Sequence, residues 1–376
     1  MSFIPVNEPL VGKKELKYVS DALKTGWISS EGEYLKAFEK GFAAYVGVKH
    51  GVAVNNGTSA LILALRALDL PAGSEVIMPS FTIVSCALAC VYNGLVPVFV
   101  DSERDTFNAD VKQVAKAITK RTKAIMAVHI YGHPADMGAM RALARKHKLL
   151  LIEDFAEAIG SEYKGRLCGS LGDVSCASFY ANKVITTGEG GMCLTNSDAL
   201  AEKMRDLRNL SHARGARFVH YELGHNFRMT NVQAAIGLGQ LETVKARVKR
   251  KIEVAALYTK LLKPLEKEGL LTLPVQKKWA KNTYWMYGVL LNRERGVKAA
   301  EVMKAMGAKG VQTRPFFYPM HLQPAFKAYK WFKKQSLPVS EELYDYGFYL
   351  PSGLTLTGAQ VKAAALALKE VLHGLR

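Results

Sequence analysis

Short apolar runs alternate with helix-length segments from about residue 50 to residue 200. Strands that are buried on both faces are typically continuous apolar runs, and parallel strands need helical connections between them. The pattern therefore predicts an α/β fold with a mainly parallel sheet covered by helices. The predicted strands are residues 75–78, 97–100, 124–128, 149–152 and 174–178.

The pattern changes near residue 240. A long charged segment, residues 241–262, has helical composition and leads into a mixed region with Trp279, Trp285 and several short strand candidates. We therefore predict a large domain over residues 1–240 and a smaller C-terminal α+β domain over residues 241–376, with the helix as connector.

Residues 77–100 carry no charge, which is typical of a membrane-spanning segment. Pro79, Asn93, Gly94 and Pro97 interrupt this run and divide it into strand, helix and strand. The sequence therefore predicts a buried α/β unit. Because no basic stretch followed by an apolar core occurs near the N-terminus, we expect no secretory signal and a cytoplasmic protein.

The composition allows a large core, with 376 residues and 49% hydrophobic content. No Cys-x-x-Cys pair occurs, and we predict buried free thiols in a reducing compartment. His129 and His133 have metal-like spacing, but they flank a strand end without a nearby cysteine or acidic residue, so we predict no metal site there. The cysteines are Cys86, Cys90, Cys168, Cys176 and Cys193.

The formal net charge is +18, from 51 Lys and Arg against 33 Asp and Glu. Such an excess is compatible with a nucleic-acid-binding protein or with an enzyme that attracts an anionic substrate. No nucleic-acid-binding module is recognisable, and the basic stretches 245–251 and 327–334 are predicted to be solvated faces of helices or loops. Charge alone does not choose between the two classes.

Lys183 lies between an apolar strand and a glycine turn, and it follows Asp154, which ends an earlier apolar strand. An amine condenses with an aldehyde only when it is unprotonated, so a Schiff-base lysine needs a pocket that lowers its pKa. Pyridoxal phosphate is the electron sink that such chemistry uses, and a carboxylate holds its pyridine nitrogen protonated. The pair therefore predicts a pyridoxal phosphate site.

The polar segment 55–59 precedes an unbroken run of helix formers, residues 60–68. Free N–H groups at such a helix start, with the hydroxyls of Thr58 and Ser59, suit a phosphate. Taken singly, most such clusters only cap a helix, a lone lysine is usually solvated, and Asp154 is compatible with a helix cap. Together and in this order they favour the cofactor.

Six motifs make the chain resemble the sugar aminotransferases of the DegT/DnrJ/EryC1/StrS group, from about residue 3 to the C-terminus. The resemblance implies an aspartate-aminotransferase-like fold (pyridoxal phosphate fold type I). The motifs are Gly57-Thr58-Ser59-Ala60, Pro79-Ser80-Phe81-Thr82, His129-Ile130-Tyr131-Gly132, Glu153-Asp154-Phe155-Ala156-Glu157-Ala158, the segment around Lys183, and Gly224-His225-Asn226-Phe227-Arg228-Met229.

The resemblance also implies roles for single residues. Lys183 would bind the cofactor and shuttle protons, Asp154 would pair with the pyridine nitrogen, and Glu157 would lie near the phenolic oxygen. Ile83 occupies a position where many members place an aromatic ring on the cofactor. The implied phosphate ligands are Gly57, Thr58, Ser59 and Ser178, with Asn226 reaching the phosphate from the second subunit of a homodimer.

The segment 314–321 combines a cation, aromatic rings and a histidine between prolines, and from the residues alone a packed aromatic turn is as well supported as a substrate loop. The resemblance favours the loop and implies that Arg228, Arg314, Tyr318 and His321 bind substrate. The implied reaction moves the amino group of L-glutamate to C4 of a nucleotide-linked 4-keto-6-deoxy sugar. GDP-4-keto-6-deoxymannose is the leading substrate, and a UDP- or dTDP-linked 4-keto-6-deoxyglucose is the alternative.

Two other classes of protein compete with an aminotransferase. A nicotinamide-dependent sugar oxidoreductase suits the α/β pattern, but no Gly-x-Gly-x-x-Gly follows an early strand. A nucleic-acid-binding protein suits only the net charge. We expect neither nucleic acid nor membrane as a partner.

Overall fold

The computed structural model describes residues 3–213 and 216–375. Its helices are α1 (Lys13–Thr25), α2 (Glu33–Val46), α3 (Gly57–Ala67), α4 (Val84–Tyr92), α5 (Val111–Ala117), α6 (Met137–His147), α7 (Asp198–Arg208), α8 (Asn231–Leu241), α9 (Val244–Lys267), α10 (Ala299–Ala308), α11 (Pro338–Tyr346) and α12 (Gly358–Gly374). Its strands are β1 (His50–Val54), β2 (Glu75–Pro79), β3 (Val96–Val100), β4 (Thr122–Val128), β5 (Leu150–Asp154), β6 (Glu162–Tyr163), β7 (Arg166–Leu167), β8 (Val174–Ser178), β9 (Gly191–Thr195), β10 (His212–Ala213), β11 (Ala216–His220), β12 (Leu271–Thr272), β13 (Ala280–Lys281), β14 (Tyr287–Leu291), β15 (Arg314–Pro315) and β16 (Gly347–Leu350).

A seven-stranded sheet, in the order β1-β9-β8-β5-β4-β2-β3, forms the centre of the molecule. The five predicted strands correspond to β2, β3, β4, β5 and β8, and they pair in parallel as predicted. The strands β1 and β9 were not among the five predicted strands, although Cys193 of β9 lies in a strand-like apolar run. Strand β9 runs antiparallel to both β8 and β1. Antiparallel neighbours need no helical crossover, so the chain passes from β8 to β9 through a loop.

The predicted helix start at residues 55–59 is confirmed, because α3 begins at Gly57 with Asn56 as its N-cap. The predicted helix 241–262 is wrong at its first turn, since α8 ends at Leu241 and a separate helix, α9, begins at Val244. The Thr243 hydroxyl donates to the backbone carbonyl of Gln240, a side-chain bond that competes with regular helix geometry.

Helix α9 also corrects the predicted solvation of the basic stretch 245–251. Lys245 and Lys249 are exposed, but Arg247 and Lys251 are buried. Residues four apart lie on the same helical face, so these two basic side chains point inward together. Arg247 pairs with the carboxylate of Glu15 at 2.9 Å.

A second hydrophobic core surrounds an antiparallel sheet in the order β12-β14-β16-β15. Helices α9, α10 and α12 contribute to this core, and so does Ile4 from the start of the chain, which pairs with Val311. The domain division at residue 240 remains a prediction, and residues 1, 2, 214, 215 and 376 of the predicted domains lie outside the described residues.

The uncharged segment 77–100 forms the end of β2, then α4 and then β3, which confirms its predicted division. Across the described ranges 3–213 and 216–375, the helices lack the combination of length and apolarity needed to cross a bilayer. All five cysteines are buried and free, as predicted.

Adjacent residues at the end of β5 serve opposite faces of the sheet, because side chains alternate along a strand. On one face, the buried carboxylate of Glu153 accepts a hydrogen bond from the ring of His129 at 2.9 Å. Although burial opposes its ionisation, hydrogen bonds hold the pKa of Glu153 below its ordinary value. Its other donors are the backbone N–H groups of Gly169, Leu171 and Gly172 and the hydroxyl of Ser175.

His129, Glu153 and Cys168 bring potential metal-ligand atoms within 4.8 Å of one another. The N–H of Ala135 donates to Nδ1 of His129, so the ring carries its proton on Nε2, which donates to Glu153. Both ring nitrogens and both carboxylate oxygens are therefore engaged within the protein. This arrangement is typical of a structural hydrogen-bond network.

We predict that Glu153→Ala lowers the free energy of unfolding by about 3–5 kcal/mol, because it leaves several buried donors without their shared acceptor. Urea unfolding followed by circular dichroism measures the loss. Glu253→Ala, at a half-exposed position on α9, is the matched control and should change stability by less than about 0.5 kcal/mol. Equal stability of the two variants would contradict the assigned role of Glu153.

Candidate active site

The parallel neighbours β5 and β8 have their carboxyl ends side by side at one edge of the central sheet. Ligands bind at this edge in open α/β sheets. Asp154 ends β5, Ser178 ends β8, and Lys183 lies in the loop that joins β8 to β9. A cavity of about 370 Å³ opens at this edge. Its volume falls within the range of roughly 300–1,000 Å³ that is typical of small-molecule sites.

Asp154 is buried at the base of the cavity. Its Oδ1 accepts the backbone N–H of Ala156 at 3.0 Å, and the thiol of Cys86 donates to its Oδ2 at 3.3 Å. Burial raises the pKa of this carboxyl, and the two hydrogen bonds only partly oppose that effect. A cation placed beside Asp154 would stabilise its ionised form, and the carboxylate would in turn favour the charged form of that cation.

The amine of Lys183 lies 3.7 Å from the centroid of the Trp285 ring and 3.9 Å from Oε1 of Glu157. Its side chain is only 10% exposed. Burial lowers the pKa of Lys183, while the negative charges of Glu157 and Asp154 act in the opposite direction. Desolvation thus favours the neutral amine, which is the nucleophilic form.

Glu157 faces Lys183 from the turn that follows β5. Burial raises its pKa to about 7, although the nearby Lys183 opposes the rise. The backbone N–H of Tyr131 donates to its Oε2 at 2.8 Å, from a residue with a positive φ of 52°. Holding a tyrosine in this unfavourable conformation directs its N–H at Glu157 and fixes the carboxyl in the cavity wall.

The N-terminus of α3 forms another wall of the cavity. The side chain of Asn56 caps this helix by accepting the N–H of Ser59 at 2.7 Å, and the hydroxyl of Thr58 lies 2.7 Å from that of Ser85. A Cβ added at Gly57 would lie 2.8 Å from Cβ of Ser178, so glycine permits the close approach of these two loops. N–H groups at a helix start attract anions.

The structure brings most of the predicted cofactor ligands to one cavity. Ser59 differs, because it is buried beneath the helix start and does not line the cavity. The predicted residues that line the cavity are Gly57, Thr58, Ile83, Asp154, Glu157, Ser178 and Lys183.

Asn226 and Arg228 are not among the residues that line the cavity of their own chain. Asn226 is exposed, and its Oδ1 accepts hydrogen bonds from Nε and Nη2 of Arg228 at 3.1 and 3.0 Å. The two side chains thus form a polar pair on the surface of a single chain, where a second subunit could receive them.

The predicted substrate residues of segment 314–321 have different environments. Arg314 and Tyr318 are exposed, and the Tyr318 ring packs edge-on against Tyr344. The ring of His321 is instead buried between the hydroxyl of Ser80, at 2.7 Å, and the carboxylate of Glu341, at 3.0 Å. Direct contact between His321 and a substrate would require this hydrogen-bonded chain to open.

Trp285, Tyr349 and Asn182 also line the cavity, and sequence reasoning assigned none of them a role in the site. Phe317, from the predicted substrate loop 314–321, lines it too. Asn182 adjoins Lys183, and its backbone carbonyl accepts the indole N–H of Trp285 at 2.8 Å. Trp285 and Tyr349 reach the cavity from the C-terminal part of the chain. Only their aromatic character was visible in the sequence, and it did not distinguish them from core residues.

The arrangement suits an aromatic aldehyde that carries a phosphate and a protonatable ring nitrogen. The amine of Lys183 can bind the aldehyde, Asp154 can pair with the ring nitrogen, and the start of α3 with Ser178 can bind the phosphate. Among the described residues no ion pair occupies Asp154, so its charge is available to a ligand. These observations fit pyridoxal phosphate.

Comparison with known proteins agrees with this chemistry. A family model described as the DegT/DnrJ/EryC1/StrS aminotransferase family matches residues 9–369. GDP-perosamine synthase of Caulobacter vibrioides is 43% identical over 369 residues, covering 98% of each chain. GDP-perosamine synthase of Escherichia coli O157:H7 is 41% identical over 361 residues, covering 96% of each.

A solved structure shows the same architecture. Helicobacter pylori PseC, an aminotransferase involved in the biosynthesis of pseudoaminic acid, superimposes with a TM-score of 0.94 at 27% identity, covering 99% of this chain and 100% of that one. The match of the family model over nearly the whole length, together with this fold and relatives above 40% identity, identifies the chain as a member of the DegT/DnrJ/EryC1/StrS aminotransferase family.

Proposed function

We propose that the protein is a pyridoxal phosphate-dependent aminotransferase that moves the amino group of L-glutamate to C4 of GDP-4-keto-6-deoxymannose, giving GDP-perosamine. The observation that carries the reaction type is the desolvated amine of Lys183, which faces Asp154 and Glu157 in one cavity. Membership in an aminotransferase family favours amino transfer over the oxidoreductase and the nucleic-acid-binding alternatives.

The choice of nucleotide sugar rests on relatives. Two proteins above 40% identity along nearly the full chain are GDP-perosamine synthases. The proposal also includes L-glutamate as the amino donor and a place in lipopolysaccharide O-antigen synthesis in the cytoplasm, which rest on the family resemblance of the sequence alone. The UDP- and dTDP-linked sugars are the competing substrates to be tested.

The cofactor, when bound, supplies an electron sink for the pair released when a C–H bond breaks beside the transferred nitrogen. Lys183 can then act as the base and acid at its Nζ, because burial lowers its pKa and so favours the unprotonated amine. Asp154 would stabilise a positive charge on the ring nitrogen, and Glu157 can hold a proton near neutral pH because burial raises its pKa to about 7.

The walls of the cavity orient these groups. Gly57, Thr58 and Ser178 would hold the phosphate, while Ile83 and Trp285 bound the space for the ring. Ile83 would cover a face of the ring by dispersion contact, without the quadrupole complementarity of an aromatic side chain. Ser59 supports the same end from beneath by donating its N–H to Asn56.

We further infer a homodimer in which Asn226 and Arg228 complete the partner's site. Neither side chain lines the cavity of its own chain, which supports this inference, as do two exposed apolar side chains close in the sequence. Tyr221 and Leu223 are 90% and 83% exposed in the isolated chain, which is typical of residues that become buried on association.

The wild-type protein should use GDP-4-keto-6-deoxymannose with a kcat/KM at least about tenfold above those for UDP- and dTDP-4-keto-6-deoxyglucose, because a site built for one base leaves polar groups unpaired with another. A coupled assay of L-glutamate consumption measures the three values. Lys183→Ala, the control for non-enzymatic transfer, should be inactive with every sugar. Equal use of the three sugars would refute the GDP assignment while leaving the reaction type intact.

Asp154→Asn should reduce kcat by about a hundredfold or more, since it removes a preorganised charge at the reacting system while preserving shape. The cofactor content and unfolding midpoint should change much less than the rate. Steady-state kinetics and cofactor absorbance on the same preparation check both expectations. Full turnover with normal cofactor content would reassign Asp154 as a structural residue.

Mixing Asn226→Asp with Lys183→Ala should restore activity that neither variant has alone. If sites are shared, one site of the heterodimer collects both defects and the other collects neither. The Asn226→Asp change itself should inactivate by placing a carboxylate against a phosphate dianion. Native mass spectrometry confirms subunit exchange, and absence of recovery after complete exchange would show that Asn226 serves its own chain.

A further inference from the structure

The carboxylate of Asp154 contacts the first turn of helix α4 as well as the cavity. Its Oδ1 accepts the backbone N–H of Ala156 at 3.0 Å, and its Oδ2 accepts the thiol of Cys86 at 3.3 Å. Asp154 lines the cavity, whereas Cys86 does not line it and is fully buried. The thiol therefore meets the carboxylate within the protein interior and leaves the cavity free.

The direction of this hydrogen bond follows from the chemistry of the neighbouring groups. An ionised carboxylate only accepts hydrogen bonds, so the single proton of the Cys86 thiol points to Asp154. The hydroxyl of Thr82 lies 3.5 Å from the same sulfur atom and can then donate to it. Burial and the adjacent carboxylate both raise the pKa of the Cys86 thiol, which keeps the proton on the sulfur. The three buried side chains thus form a chain of hydrogen bonds that ends at the carboxylate.

The hydrogen bonds to Asp154 act against the effect of its burial. Burial raises the pKa of Asp154, and the donors Ala156 and Cys86 lower it again by stabilising the ionised form. Among the described residues these are the two hydrogen-bond donors to the carboxylate. The other titratable groups that interact with its charge are Lys183, His129, Glu157 and Cys176.

We propose that Cys86 is a positioning residue for Asp154: its thiol holds Oδ2 in place and stabilises the ionised carboxylate that a protonated ring nitrogen needs as its partner. The inference rests on the proposed function, because it presumes that Asp154 pairs with such a nitrogen. It adds to that function a residue on α4 that lies outside the cavity and acts only through Asp154.

A thiol has a chemical advantage at this position. In a buried pair the shared proton can lie on the ring nitrogen, which gives two charges, or on the carboxylate, which gives two neutral groups. Burial favours the neutral arrangement, whereas a donor to the carboxylate favours the charged one. A thiol is a weak donor, and a charged donor would bind the carboxylate more tightly. Cys86 therefore supports the charge of Asp154 without competing strongly with the ring nitrogen.

The contact itself is tested on the full-length, cofactor-stripped protein through the infrared S–H stretching band. Subtracting the spectrum of Cys86→Ala isolates the band of Cys86, and Cys90→Ala isolates the band of a matched control. Cys90 lies one turn later on α4 and is equally buried, and its thiol makes no hydrogen bond within residues 3–213 and 216–375. The Cys86 band should lie at the lower frequency, because donation to a carboxylate weakens the S–H bond. Coincident bands for the two thiols would overturn the proposal.

The infrared band should also depend on the charge of the acceptor. In Asp154→Asn the Cys86 band should move to higher frequency, because a neutral amide is a weaker acceptor than a carboxylate. The band of Cys90 should stay where it is. An unchanged Cys86 band in this variant would show that the thiol does not donate to Asp154.

The consequence for the site is tested with pyridoxal phosphate that is ¹⁵N-labelled at the ring nitrogen. Cys86→Ala should move the ¹⁵N chemical shift from the protonated toward the unprotonated value and lower kcat about three- to tenfold, as expected for one lost hydrogen bond to a charged group. Cys86→Ser retains a donor and should keep the wild-type shift and a kcat within about twofold of wild type. Cys90→Ala also removes a buried sulfur atom and should leave both readouts unchanged.

Cys86→Val fills the space of the thiol without a donor and takes the place of Cys86→Ala if that variant does not fold. A donor-free variant with the wild-type shift and rate, or equal losses in that variant and in Cys86→Ser, would overturn the proposal. Failure of the wild-type protein to bind pyridoxal phosphate would instead refute the proposed function. The infrared comparison, made without the cofactor, separates the two outcomes.

Discussion

The buried carboxylate of Glu153 is the interaction on which the geometry of the site depends. It joins His129, which follows β4, to the backbone of the loop before β8 and to Ser175 within β8. Three neighbouring parts of the sheet are therefore fixed to one side chain. Because Asp154 is the next residue along the strand, its position on the opposite face is set by the same network.

Two buried pairs of opposite charge in this protein differ in how tightly the partners are held. Arg247 is neutralised directly by Glu15, and such a pair mainly holds α9 against α1. Lys183 and Glu157 are separated by 3.9 Å instead, and burial moves their pKa values toward each other. A looser pair of this kind favours proton exchange between the two groups more than a tight ion pair would, because neither charge is fully neutralised by the other.

The features that could be predicted from the sequence are those determined by short segments of neighbouring residues. The five parallel strands, the start of α3, and the positions of Lys183 and Asp154 all follow from short motifs and hydrophobic runs. The strands β1 and β9, the burial of Lys251 and the approach of Trp285 depend on contacts between distant segments. A lysine on a helix has the same local pattern whether it meets water or two backbone carbonyls, so only the packing distinguishes the cases. For His321, likewise, the bonds to Ser80 and Glu341 decide its environment.

The burial of the five free cysteines affects how the folded protein reacts with thiol reagents. All are buried, and burial raises the pKa of Cys86, Cys90 and Cys168, so little thiolate forms near neutral pH. Alkylating reagents therefore find few reactive sulfur atoms while the chain is folded and five once it opens. The mass added during brief alkylation would report how often, and how far, the two cores open under native conditions.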